Sequence, residues 1–555
     1  MKKLLIFLVL ALAFLIRVWN LDLSPPALNW DEVSHGYNAF SILTTGRDEW
    51  GVQFPVIFRS YGDYKLPVYI YLTAISEFFF GLGVLSVRLP SVVAGTLTVL
   101  FTYLLTKRLF RKESIAVLSA LFVAIEPWSL FLSRAALEAN VALFLIVSGV
   151  YFFLIGLEKK NYNLLLGVLL LGLSVWTYNS ARIFVPLFLV ACTLVYKTEF
   201  ISLVRRNKIL ATGYFLLATA FLVPMFVQLA QSTGQARYEN VRILDAGAVG
   251  EIERLRSNSD LPLSRLVFNK ATYFAFKFGK NYLSHFSPSF LFLEGGSHYQ
   301  FSVPGHGLVY LVNAPFLVLG LYSVLKSRKE KYSKLFLVWL ALGPVASSLT
   351  REAPHALRSI VVLPVPMILV ALGIFYVFEK LPKARWFTAV YLLVLFVSFT
   401  DYFNSYLNDY RERYSWSWQY GYKQVVDVVK GKYDKYEKIV ITKKYGEPHE
   451  FLLFYGGAES PVPWPWEPDE FREDPNLIRF SQSNWYWVDR FDKFYFVNDW
   501  DIPGVGSEFV LESGSTFSCA SCLLITGPGN APENWDKLET INFLNGEVAF
   551  EIYEH

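Results

Sequence analysis

Cysteine is scarce in this chain: 555 residues hold three, Cys192, Cys519 and Cys522. That excludes a disulfide-built scaffold. It also leaves Cys519-Ala520-Ser521-Cys522 without the two further ligands a structural zinc needs. One small-loop disulfide and two unpaired thiols both stay open for this pair. Charge is scarce as well, at 18% of residues against 54% apolar. Soluble domains carry about 25% charged residues. No glycine-rich loop of the kind that cradles nucleotide phosphates is present. The long apolar runs before about residue 403 are nearly free of ionisable residues, which disfavours a path that moves charge through the bilayer.

What remains is uneven. Residues 404–555 hold 14 Lys and Arg against 25 Asp and Glu, a balance of −11; the preceding part holds 37 and 22, a balance of +15. An acidic, aromatic tail argues against nucleic-acid binding. The basic part fits loops that face an anionic cytoplasmic leaflet.

Apolar runs are read as spans at residues 1–20, 89–106, 114–132, 140–157, 162–178, 182–197, 209–229, 306–325, 334–350, 357–378 and 386–403. Each is near the ~20 residues that cross a bilayer, giving about eleven spans. The first run has no convincing cleavage motif and is read as retained. The basic clusters Lys107-Arg108, Lys159-Lys160, Arg205-Arg206, Arg328-Lys329 and Lys380…Arg385 all fall on the side of Lys2-Lys3. This places the amino terminus in the cytoplasm and residues 404–555 outside. Residues 67–82 are apolar but short, and counting them as a span would invert every later cluster. They are read as a helix lying at the outer interface. The fold class is therefore a multi-span α-helical membrane module, 1–403, with external loops 21–88 and 231–305. The second loop is long enough to cover a site between spans. An external α/β domain, 404–555, follows. In it Tyr422–Val429 is expected as helix and Lys438–Thr442, Phe494–Val497 and Leu523–Thr526 as strands, while Pro461–Pro468 is excluded from regular helix.

Asp31-Glu32, just beyond the first span, is the leading candidate for chemistry. A carboxylate there is suited to accept a proton from a hydroxyl or to hold a divalent ion beside a phosphate. An acid pair also opens helices, where the dipole favours it. Glu138, in the outer turn Ser133-Arg134-Ala135-Ala136-Leu137-Glu138, maps to the same side. Lys65, Arg134, Arg182 and Arg358 map to outer span ends and suit phosphate, although snorkelling to headgroups serves each one singly. His285, His298, His306 and His355 are external too. Asp31, Glu138, His285 and His298 are the candidate ligands for a divalent Mg, Mn or Zn ion.

These residues together resemble the membrane glycosyltransferases that use polyprenyl-phosphate sugars, the GT-C superfamily. The nearest are family 39, the protein O-mannosyltransferase type, and the aminoarabinose transferases of lipid A. The resemblance is carried by Asp31-Glu32, Lys65-Leu66-Pro67-Val68-Tyr69, Val87-Arg88-Leu89-Pro90-Ser91 and Ser133-Arg134-Ala135…Glu138. Two positions depart from the pattern: Ser34-His35 stand where some members have Arg-Tyr, and Lys65-Leu66-Pro67 where Lys-Pro-Pro is common. Trp416-Ser417-Trp418-Gln419-Tyr420-Gly421 lacks the Asp of the oligosaccharyltransferase signature that it faintly resembles.

The resemblance implies inverting transfer of one hexose or pentose from a polyprenyl phosphate to a protein, lipid or glycan hydroxyl at the outer face of the plasma membrane. It maps Asp31 onto the catalytic acid, Glu138 onto a second acid and Lys65 onto a lipid-phosphate contact. Glu32 stands beside Asp31 as a catalytic candidate, and Arg134, Arg182, Arg358 and His355 are candidate donor contacts. A flippase for the same lipid and a non-enzymatic envelope assembly protein are the competing expectations.

Overall fold

The computed structural model describes residues 2–259, 263–380, 385–457, 467–482 and 485–555. Most of the proline-rich stretch Pro461–Pro468 lies outside them, as does most of the basic cluster ending at Arg385. The chain forms two compact units. The first comprises Met1–Trp19, Ser91–Ser133 and Leu137–Phe403; the second comprises Asn20–Pro90, Arg134–Ala136 and Asn404–His555. Within the second unit, residues 20–90 pack with the tail. Side-chain contacts explain it. Arg472 donates to Ser41 Oγ and the Asp48 carbonyl, both at 2.8 Å, and Arg479 to the Glu49 carbonyl at 2.9 Å.

The first unit is helical, and a helix lies at every expected span. Among the described residues, five helices are long and apolar enough to cross a membrane: Val84–Phe110, Glu138–Lys159, Lys208–Leu229, Ile360–Lys380 and Phe387–Arg413. A sixth counts if Asn179–Val195 and Lys197–Arg206, bent by 83°, make one span. A count of about eleven therefore needs shorter apolar helices such as Leu4–Val18, Glu113–Ile125, Asn163–Val175 and Leu311–Lys326 to cross as well. The run 114–132 is divided because Pro127 follows Glu126 and starts a new helix. Helices Ala314–Lys326 and Val365–Lys380 approach backbone to backbone at two glycines. A Cβ on Gly320 would lie 1.9 Å from the Leu369 carbonyl oxygen, and one on Gly373 1.8 Å from that of Phe316. Small residues permit such contact where lipid offers no hydrophobic drive between helices.

The second unit carries the sheets. β1 (Phe58–Ser60) and β2 (Asp63–Lys65) form a short antiparallel hairpin in the first loop. The tail contributes β3 (Lys438–Thr442), β4 (Ile478–Gln482), β5 (Trp485–Phe491), β6 (Phe494–Val497), β7 (Glu508–Val510), β8 (Thr516–Ser518), β9 (Cys522–Thr526), β10 (Asp536–Asn542) and β11 (Val548–Glu554). The main sheet runs β10-β11-β9-β3-β6-β5-β4. β3 is parallel to both neighbours, and the other pairs are antiparallel. The run Ile439-Val440-Ile441 in β3 is wholly buried, as a central strand covered on both faces should be. Cys519 and Cys522 form a disulfide. Both are buried in a core cluster with Val440, Phe509, Leu524 and Trp535. Helix Tyr422–Lys432 extends the expected one.

Candidate active site

Asn29 starts the helix Trp30–Thr45. Its side chain accepts from Glu32 N at 3.0 Å, and Glu32 Oε2 accepts from Asn29 N at 3.1 Å, a reciprocal capping box. Gly46 closes the helix in the left-handed conformation, φ +70°. Asp31 and Glu32 thus lie in the first turn, where the helix dipole favours negative charge.

The two acids diverge in role. Glu32 is wholly buried, and besides the cap it accepts from Arg88 Nε at 2.9 Å, Arg88 Nη2 at 3.0 Å and Ala136 N at 2.8 Å. Its two oxygens thus accept four hydrogen bonds, which hold the start of the helix. Arg88 also donates to Leu21 O at 2.7 Å and Pro25 O at 3.0 Å, tying down the segment that leads to the helix. Its guanidinium lies 5.9 Å from the Trp418 ring centroid. Asp31 instead keeps its side chain 40% exposed and pairs with Lys65, whose side chain is only 8% exposed. The hairpin holds that lysine at the end of β2. Trp30 stacks on Tyr61 at 5.7 Å, and its backbone N–H donates to Gln419 Oε1 at 3.3 Å. The Trp416–Gly421 segment therefore braces the helix that presents Asp31.

Among the other expected residues, Arg134 is buried and donates to Ser24 O at 2.9 Å and Asn20 O at 3.3 Å. These bonds anchor the backbone that leads to the helix Trp30–Thr45. In the first unit, Arg182 and Arg358 line one cavity of about 290 Å³ with Tyr178, Arg237 and Tyr238. Arg182 donates to Gln228 Oε1 at 2.6 Å, and Arg358 to Thr350 Oγ1 at 3.0 Å and Glu352 at 2.9 Å. Arg237 went unnoticed in sequence because its helix, Ser232–Val241, lies inside a long polar loop. His355 is buried near Phe301 and accepts from Arg358 N at 3.3 Å. Burial, with the Arg358 cation second, holds its imidazole well below its usual range. Glu138 opens helix Glu138–Lys159, half-buried.

His285 is buried with both ring nitrogens engaged, Nδ1 with Asn281 O and Nε2 with Ser347 Oγ, each at 2.7 Å. His298 stacks on Phe301 at 4.4 Å, and Asp31 pairs with Lys65. Among the described residues, the one group of three whose ligand atoms lie within 4.8 Å of one another is Glu49, His449 and Glu450. Sequence reasoning missed it because Glu49 lies far along the chain from the adjacent His449 and Glu450.

Residues 65–227 match the family model described as dolichyl-phosphate-mannose-protein mannosyltransferase. No curated protein matches this chain. Among solved structures, ArnT from Cupriavidus metallidurans in the apo state is similar at 13% identity and a TM-score of 0.55, covering 99% of this chain and 97% of that one. The apo oligosaccharyltransferase of Archaeoglobus fulgidus aligns at 15% identity and a TM-score of 0.49, covering 82% of this chain. This chain spans 63% of that enzyme's length. The Pmt1-Pmt2 protein O-mannosyltransferase complex of S. cerevisiae aligns at 20% identity and a TM-score of 0.30, covering 47% of this chain and 37% of that one. The likeness to ArnT shows that the two share a fold. The family match begins at Lys65, the residue paired with Asp31.

Proposed function

We propose that this protein is an inverting glycosyltransferase that moves one sugar from a polyprenyl phosphate to an acceptor hydroxyl at the outer membrane face. The observation that carries this reading is the contact between the part-exposed Asp31 carboxylate and the Lys65 ammonium. A phosphate that binds Lys65 lies beside the base that the acceptor needs. Asp31 orients the hydroxyl and takes its proton. The acceptor oxygen forms its bond to C1 from the face opposite the phosphate. The C1–O bond breaks and its electron pair leaves with the lipid phosphate. Lys65 stabilises the charge that develops there, an effect largest in a preorganised site. The mannosyltransferase family match over 65–227 supports the donor class.

Arg182, Arg358 and His355 stay as proposed donor contacts, and Glu138 as a second acid. The proposal includes about eleven spans. It also includes a cytoplasmic amino terminus, an external 404–555 domain and a plasma-membrane location. The acceptor is a protein, lipid or glycan hydroxyl. A divalent Mg, Mn or Zn ion, with Asp31, Glu138, His285 and His298 as its candidate ligands, stays part of the proposal.

The test is a reconstitution. Purified protein in liposomes is given radiolabelled undecaprenyl- or dolichyl-phosphate sugars with an envelope extract as acceptor. Label should move to acceptor from the lipid donor and not from a nucleotide sugar. Movement of lipid between leaflets without sugar transfer would contradict the reading.

A further inference from the structure

The second unit holds a cluster that the proposed transfer does not use. Glu49 sits in the turn after helix Trp30–Thr45, and His449 and Glu450 lie in the first turn of helix Pro448–Gly457. Their exposures are 4%, 3% and 0%. Glu447, 5% exposed, places Oε2 3.6 Å from His449 Nδ1.

The cluster is under-satisfied. Glu450 Oε1, His449 Nδ1 and Glu447 Oε2 are buried and make no hydrogen bond among the described residues. Buried polar atoms are nearly always partnered, so orphans at one spot mark an absent partner. The remaining atoms are held in place. Tyr61 Oη donates to Glu450 Oε2, Asn38 Nδ2 to Glu49 Oε2 at 3.3 Å, and Asn38 Oδ1 accepts from Glu49 N at 3.2 Å. Neutral tyrosine and asparagine donors orient the carboxylates without neutralising them.

Arg479 and Lys443 act on Glu49 and Glu447 from a distance, but among the described residues neither makes an ion pair with them. Lys443 pairs with Asp489 and with Glu512. Arg472 donates to Ser41, Thr45 and the Asp48 carbonyl. Arg479 donates to the Glu49 carbonyl and lies 4.6 Å from the Trp50 ring centroid. Burying adjacent carboxylates is costly unless a proton or a cation sits between them.

We propose that Glu49, His449 and Glu450 bind one divalent transition-metal ion, Zn2+ or Mn2+, clamping the first external loop to the tail's helix Pro448–Gly457. Two carboxylates and one imidazole are a donor set these ions accept. Glu447 either completes the set or orients the imidazole, as a carboxylate behind a ligating histidine does. Full burial makes the site structural. Tyr61 connects it to the helix that carries Asp31: its hydroxyl also contacts the Trp30 carbonyl at 3.3 Å. Loss of the ion would loosen the mounting of Asp31 without removing a catalytic group.

The experiment uses the full chain in nanodiscs, stripped with a chelator and titrated with Zn2+ or Mn2+. Bound metal is counted by mass spectrometry, and thermal unfolding is followed in parallel. Wild type should take up one ion per chain and melt several degrees higher with it. Glu49→Gln and His449→Gln should each bind at least 100-fold more weakly and show no metal-dependent rise in melting. Cobalt substitution gives a readout that does not depend on the variants folding: stripped wild type should develop visible ligand-field bands. Stripped wild type that takes up no ion would overturn the proposal, as would equal binding by the variants.

Discussion

Arg88 grips Glu32 twice, Nε to Oε1 at 2.9 Å and Nη2 to Oε2 at 3.0 Å, and neither side chain reaches solvent. One residue earlier, Asp31 faces Lys65 and stays part-exposed. Adjacent acids on one helical turn thus divide the work. Glu32 fixes the helix, and Asp31 is presented by it.

Glu32→Gln should leave the buried Arg88 without its counter-charge. Breaking one side of a buried pair costs about 3–5 kcal/mol, whereas replacing both with apolar groups often costs little. Thermal unfolding of the purified protein should show a large drop for Glu32→Gln and for Arg88→Met. The double variant Glu32→Leu/Arg88→Met should recover part of it. Wild-type melting in Glu32→Gln would contradict the structural role.

Lys65→Ala should weaken donor use. Loss of a charge-assisted contact to phosphate is worth about 1.5–3 kcal/mol. That corresponds to roughly 10- to 100-fold in kcat/KM. Lys65→Arg should retain more activity than Lys65→Ala. Steady-state kinetics with varied lipid donor would check this, and an unchanged kcat/KM in Lys65→Ala would count against the assignment.

Gly446→Ala should disturb the mounting of Asp31 from a distance. Gly446 has φ +118°, a region that L side chains rarely adopt, and an added Cβ would lie 2.5 Å from Trp30 Cε3. Strain and overpacking together cost about 1–3 kcal/mol or more. A lowered melting temperature with reduced transfer is expected, read by calorimetry and the labelled-donor assay.

Acid should destabilise the fold through His285. Burial pushes its imidazole down to about 4 in the folded protein, while the unfolded side chain titrates near its usual ~6.5. The unfolded state therefore binds more protons between these values. Its contribution is intact above ~6.5 and is lost as pH falls toward 4. His285→Gln should show a flatter stability profile over that window in melting experiments.

Much of this was legible in the sequence. Apolar runs marked the helices because spanning segments must be long and uncharged. β3, β6 and β9 stood out as buried β-branched or aromatic runs. Residues 67–82 stood apart by length, and the chain forms the helix Pro67–Phe80 there. Asp31 and Lys65 stood out singly as candidates in one loop, and the fold pairs them. Pairings across the chain were not legible. Nothing local marks Arg88 as the partner of Glu32, or Glu49 as the neighbour of His449 and Glu450. Glu32 and Arg134 carry charges that look available in sequence and are spent on backbone groups and buried partners in the fold.

The most direct measurement is the rate of sugar transfer from a labelled polyprenyl-phosphate donor by Asp31→Asn against wild type, with donor binding measured in parallel. Loss of a positioned general base predicts a fall of about 10²- to 10⁴-fold with donor still bound. Transfer at the wild-type rate would remove Asp31 from the chemistry and contradict the account.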